Sequence, residues 1–225
     1  MARRRRTWWI VGGVVALLAL GIGVGPLLYA ATQEDAAAAP TVQAQPSDVE
    51  LAPETDGTWT VVPGSSAGYR VDEVLNGANV TVAGTTDQVT GSVVIQGGDL
   101  ASAEVSVDVA SIRTDIGQRD SYFRGNVMDV DTYPTGTFTV RGPVDLPELS
   151  GTPVTVPVTG DLTLRGQTRQ VQTDLAVVRT AEGVEVSGAV PVVFADFGIT
   201  APNLGFVRVE DRGQVEFLLR LAMSP

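Results

Sequence analysis

The sequence predicts an all-β domain of antiparallel strands, preceded by one membrane-spanning helix and a disordered linker. Three observations predict it. From Thr58 onward, apolar and polar residues alternate with period two. Trp8 to Tyr29 is an uncharged run behind four consecutive arginines. Between the two lies a stretch of Ala, Pro, Gln and acidic residues with no apolar period. The 225 residues therefore divide into an anchor over 1–31, a linker over 32–57 and a β-domain over 58–225.

The anchor follows from length and flanks. Trp8 to Tyr29 is 22 residues, or about 33 Å as a helix at ~1.5 Å per residue, enough to cross a bilayer. Trp8 and Trp9 at one end and Tyr29 at the other are placed as interfacial aromatics. Arg3 to Arg6 should stay cytoplasmic, which puts the β-domain outside: a single-pass protein of the cell membrane. The competing reading is a cleaved signal peptide, whose apolar core is shorter, about 7–15 residues. Leu28 is also a poor small-residue site for a cut after Ala30, and the chain has no Cys for lipid attachment. The expectation is an uncleaved signal-anchor. Gly21 and Gly25 form a GxxxG that could pair two copies into a homodimer, but glycine is common in membrane helices. The linker, Thr32 to Asp56, reads as a flexible tether spanning roughly 25–30 Å.

The strands come next. Ala103 to Val109, Val154 to Thr159, Val184 to Ser187 and Val215 to Phe217 alternate cleanly. Shorter pieces surround Trp59, Tyr69, Val80, Val93, Phe138, Leu162, Val171 and Val207. With Gly, Asp, Asn and Pro between them, they make about eight to eleven antiparallel strands. Ile112 to Pro134 breaks the pattern and suits a helical turn or a lid-like crossover. The dry face is mostly Val, and the whole chain has only 6 Phe, 4 Tyr and 3 Trp. A barrel of about eight strands is just wide enough to be filled by side chains or to hold one ligand. Small aliphatics fill it poorly and favour an apolar cavity. A closely packed sandwich accepts the same residues, so the pattern leaves both open.

Composition excludes much chemistry. The chain has no Cys, no His and no Lys. That removes disulfides and thiol nucleophiles, the Ser-His-Asp triad, the P-loop and Schiff-base chemistry. A net charge of −11 argues against nucleic acid. Asp129 and Asp131 could touch a divalent cation but lack the further oxygen ligands it needs. Asp196-Phe197-Gly198 spells a kinase metal motif in a chain without the lysine a kinase requires, and reads as a turn. No cofactor or metal is expected.

Three stretches carry a family resemblance. Arg119-Asp120 leads through a short apolar segment to Asp131, Tyr133-Pro134 and Thr135-Gly136-Thr137-Phe138. Gly160 to Val171 reads Gly-Asp-Leu-Thr-Leu-Arg-Gly-Gln-Thr-Arg-Gln-Val. Asp196-Phe197-Gly198-Ile199 follows, with Pro202 after it. In this order they resemble the signatures of the YceI-like family, from about Thr58 to Ala222. Tyr122 stands where many members carry His, and the segment before Tyr133-Pro134 is about one residue shorter. The resemblance implies an antiparallel, lipocalin-like β-barrel of about eight strands. It would bind an isoprenoid quinone or a polyprenyl phosphate in its lumen and catalyse nothing.

Candidate lining residues are Trp59, Tyr69, Phe123, Met128, Phe138, Phe197 and Phe206, with ordinary core packing as the competing reading for each. Arg119 and Arg124 could meet an anionic headgroup. Alternatively they pair with Asp120, Asp129 or Asp131. The expected partners are thus an isoprenoid lipid and, through the N-terminal helix, the membrane. The alternatives are an extracytoplasmic β-sandwich serving as an adhesion or scaffold module, and a carboxylate-based glycoside hydrolase. The last lacks an evident acid pair and cleft aromatics.

Overall fold

Alternation of β-branched residues sets the strands, and glycine-rich turns set their register. A computed structural model describes residues 36–52 and 56–224. The strands are β1 (Gly57–Val61), β2 (Ser66–Leu75), β3 (Ala78–Thr86), β4 (Val89–Gln96), β5 (Asp99–Asp108), β6 (Thr135–Val140), β7 (Val144–Asp145), β8 (Val154–Leu164), β9 (Gln167–Arg179), β10 (Val184–Val193) and β11 (Val207–Met223). Asn76-Gly77 and Arg165-Gly166 all have positive φ, the backbone of two-residue hairpin turns that match strand twist.

All pairings are antiparallel. The order β1-β4-β5-β6-β8-β9-β10-β11 returns to β1, because Trp59 to Val61 pair with Met223 to Leu221. That closes an eight-stranded barrel. β2 continues β1 as one bent stave: Trp59 pairs with Met223, and Ser66 with Leu218, on the same β11. β3 continues β4 in the same way, with Thr60 opposite Ser92 and Ala67 opposite Thr86. The bend is pinned by Ser65, whose hydroxyl donates to the Val62 carbonyl (2.8 Å) and accepts from the Arg220 amide (2.9 Å). Closure resolves the choice between barrel and sandwich. It depends on the 17 residues of β11, long enough to pair β10 on one side and the β1–β2 stave on the other.

The barrel has two ends. The near end carries the β2–β3 and β8–β9 turns and the β10–β11 connection. The far end carries the β4–β5 and β9–β10 turns and the C-terminal end of β11. The strand gap forms a crossover at the near end. It comprises a 3₁₀ turn (Val109–Ser111), helix α1 (Gly117–Tyr122) and a π-helical turn (Phe123–Met128). The buried Asp120 carboxylate anchors it by accepting from the Thr114 amide (2.9 Å) and hydroxyl (2.8 Å). Asp196-Phe197-Gly198 is a 3₁₀ turn closed by Gly198 in the left-handed region. One apolar cluster lies in the far half around Trp59, Val156, Val177 and Leu221. A second lies in the near half around Ile112, Met128, Leu162 and Phe197. Phe138 and Phe217 pack against both.

The linker expectation needs correction. Residues 36–52 are an extended strap laid across the outer wall from the near end to the far end. The Ala36 amide donates to the Thr81 carbonyl on β3 (3.0 Å), and Arg70 on β2 donates to the Ala37 carbonyl (2.5 Å). The amide of buried Val42 donates to Ser187 Oγ on β10 (3.2 Å). Gln45 then bonds Gly151 (2.7 Å), and Ala52 bonds Thr180 (3.0 Å). Under it Ser187 and Glu216 are buried although both point outward. Backbone hydrogen bonds of this kind need no apolar periodicity, so composition alone did not reveal them. The arginine cluster and the run 8–29 lie outside the described residues. Among the described residues no helix is long and apolar enough to cross a membrane.

Candidate functional site: the barrel lumen

The inward parity of the strands encloses an elongated cavity of about 250 Å³. Val93, Val105, Val107, Val186, Val215 and Phe217 face inward and line it, yet each is only partly buried. Wall residues inside a barrel keep accessible surface only where no side chain covers them. The lumen is therefore incompletely filled, as its valine-rich lining implies.

Glycines on neighbouring strands keep the lumen open beside its aromatics. A Cβ added at Gly84 would lie 2.6 Å from the Tyr69 ring, at Gly160 2.5 Å from Phe138, and at Gly188 2.7 Å from Phe217. Each ring lies down over a glycine against the wall instead of crossing the cavity. Glycine inside a strand often marks such a close approach, so this signal was present in the sequence.

The lining is apolar except at the near end, where its charged residues, Glu73 and Arg119, both lie. Glu73 faces inward between its strand partners Val80 and Val209 and is 6 % exposed. Burial raises its pKa above the usual carboxylate range, while the Arg119 guanidinium, 3.7 Å away, opposes this. Arg119 also donates to Asp115 at 2.8 Å. Tyr69 stacks on Phe123 with centroids 4.7 Å apart. Burial pushes the Tyr69 hydroxyl up to about 12, against the opposing pull of Arg119 and with help from Asp120 and Glu73. It therefore stays a neutral donor at physiological pH. Tyr122 is the one exposed residue among the described lining, so the lumen meets solvent beside α1.

Five of the residues singled out from sequence meet at this cavity: Tyr69, Arg119, Phe123, Met128 and Phe138. Trp59 and Phe197, each 2 % exposed, are core residues outside the lining. Phe206 is on the outer surface, 58 % exposed, in the turn before β11. Arg124 is not in the lining, and among the described residues its side chain forms no ion pair. Arg119 pairs with Asp115 and Glu73, not with Asp120, Asp129 or Asp131. The crossover turns Asp120 inward to Thr114, while Asp129 in the left-handed region ends the π turn. Sequence reasoning missed Glu73, because a carboxylate next to Asp72 reads as surface. The parity of Tyr69, Val71 and Glu73 would have placed it inside.

Comparison with known proteins agrees with this architecture. A polyisoprenoid-binding domain from Saccharophagus degradans, implicated in plant cell wall breakdown, shares the fold with a TM-score of 0.61. The two chains are 23% identical, and the match covers 74% of this chain and 98% of that one. BcnA from Burkholderia cenocepacia matches with a TM-score of 0.56 at 23% identity, over 78% of this chain and all of its own. No curated protein matches. Residues 59–221, nearly the whole barrel, match the YceI-like domain, and the chain belongs to the YceI-like family.

Proposed function

We propose that this protein is a membrane-anchored, extracytoplasmic carrier that holds one long isoprenoid lipid in the barrel lumen and performs no catalysis. The observation that carries the reading is the unfilled lumen, whose inward valines keep accessible surface. Such a space suits a thin, flexible apolar chain, with few polar groups to fix its end. The polyisoprenoid binding of the Saccharophagus domain supports the same class of ligand. The anchor rests on the uncharged run 8–29 and its arginine flank.

The near end favours an uncharged headgroup, such as a quinone, over a polyprenyl phosphate. Arg119 is the cation in the lining, and Glu73 and Asp115 already pair with it. A phosphate would have to displace both carboxylates and leave Glu73 buried without its partner. A quinone carbonyl asks only for one donor, which Tyr69 or Arg119 supplies.

Organic extraction of the purified protein followed by mass spectrometry tests the reading. A stoichiometric isoprenoid is expected. Adding a matched isoprenoid quinone to delipidated protein should raise Tm by roughly 5–10 °C at a hundredfold excess over Kd. A polyprenyl phosphate of equal length should raise it less. An empty barrel with an unchanged Tm across both classes refutes the proposal.

A further inference from the structure

We infer that the near end of the barrel docks directly on the membrane that holds the anchor. It would insert the turn Leu204-Gly205-Phe206 into the bilayer interface and hold the lumen's opening against the lipid. The inference rests on the reading of residues 8–29 as a membrane span.

The first observation is where the strap is fixed nearest the anchor. Ala36 is fixed to Thr81, and Thr81 lies only three residues from the start of β3 at the near end. From Tyr29 to Ala36 is seven residue steps, which reach at most about 25 Å. The far end lies much further away. β11 runs the length of the barrel in 17 residues, about 55 Å along the strand and about 40 Å along the axis at a tilt of ~40°. The short connection therefore holds the near end or the flank at the membrane and keeps the far end away. A free linker over 32–57 would have set no such orientation.

The second observation is the distribution of exposed apolar side chains. Of the five large ones among the described residues, Tyr122, Val193, Leu204 and Phe206 lie at the near end, and only Met223 lies at the far end. Leu204 and Phe206 are 49% and 58% exposed. They flank Gly205, whose positive φ makes a tight turn and which has nothing within 4 Å of an added Cβ. Two backbone hydrogen bonds shape the turn, with the Leu204 amide donating to the Val207 carbonyl (2.9 Å) and the Asn76 amide to the Phe206 carbonyl (2.8 Å). A protruding, preordered turn with two large apolar tips suits the interface, where apolar insertion supplies the attraction. Tethering makes insertion intramolecular, so a weak contact suffices.

The occupant is a bilayer and not an acidic or basic partner. Outside residues 3–6 the chain carries 11 arginines against 26 acids, so anionic lipid offers it no general attraction. Docking should depend little on salt or on anionic lipid. With Tyr122 at the same end, an isoprenoid could pass between membrane and lumen with little of its chain exposed to water.

The absence of native cysteine permits a direct test. Phe206→Cys and Glu182→Cys, the latter on the exposed far-end turn, are each labelled with a nitroxide in the full chain. The protein is reconstituted in phosphatidylcholine nanodiscs. The label at 206 should collide more with oxygen than with a water-soluble nickel chelate, and the label at 182 should show the reverse. An aqueous signature at both sites in a chain that alkaline washing does not remove overturns the docking and leaves the anchor standing. A chain released by the wash overturns the anchor and, with it, this inference.

Discussion

Val186→Phe separates a ligand lumen from an ordinary core. Val186 faces inward on β10, lines the cavity and is only partly buried. In a close-packed core, enlarging a side chain forces neighbours off their rotamers and costs about 1–3 kcal/mol. For a domain of this size that lowers Tm by roughly 2–12 °C. In an unfilled lumen the ring enters existing space. It brings about four more carbons, each worth at most ~0.8 kcal/mol when fully buried. Because the ring covers one wall of an open cavity, about half of that is realised, less up to ~1 kcal/mol for ordering the side chain. The net change is a gain of about 0.5–1.5 kcal/mol, and Tm of the delipidated protein should rise by roughly 1–6 °C. The lipid recovered per protein should fall several-fold, because the ring occupies its path. The assays are differential scanning calorimetry and extraction with mass spectrometry on the same preparation. A drop in Tm with unchanged lipid content would refute the argument from cavity to ligand.

Three further perturbations test other parts of the structure. Phe138→Asp puts a carboxylate on the apolar wall, costing several kcal/mol or forcing its protonation, and should cut folded yield or lipid content. Arg141→Ala, which removes the exposed pair with Asp161, should change neither; equal behaviour would show the faces of β6 are misassigned. Glu73→Gln tests the buried carboxyl. Its folded pKa is raised, so the native state holds its proton more tightly and stability falls as pH rises from the unfolded pKa through the folded one. The variant should therefore gain Tm over the parent at neutral pH and lose that gain near pH 4, as followed by thermal melts across pH. Ser187→Ala removes the acceptor of the Val42 amide. Hydrogen exchange at Val42 should accelerate with a stability loss of about 1 kcal/mol; unchanged protection would mean the strap is held elsewhere.

The sequence by itself determined what local chemistry dictates. Period-two alternation around Val105, Val156, Val186 and Phe217 placed strands and their dry face, because side chains on a pleated strand point alternately to opposite sides. The stretch Gly160 to Val171, read through the family resemblance, holds the β8–β9 turn, where Gly166 takes a positive φ that few other residues tolerate. The missing His, Cys and Lys restricted the chemistry, and the ordered signatures from Arg119 to Ile199 identified the family. Tertiary structure decided what depends on closure. Only the pairing of β11 with both β10 and the β1–β2 stave makes a barrel instead of a sandwich. Only that closure turns valines into the wall of an unfilled lumen and aims Glu73 at Arg119 from a distant strand. Trp59 could not be told from a lining residue in advance, because an inward side chain in a barrel either packs at an end or faces the cavity, and both carry the same parity; Phe197 sits in the 3₁₀ turn after β10, where strand parity says nothing about direction. The strap over 36–52 and the exposed tip at Phe206 escaped for a related reason. Long-range backbone hydrogen bonds and the direction of a turn are set by which strands become neighbours, and no local pattern records that.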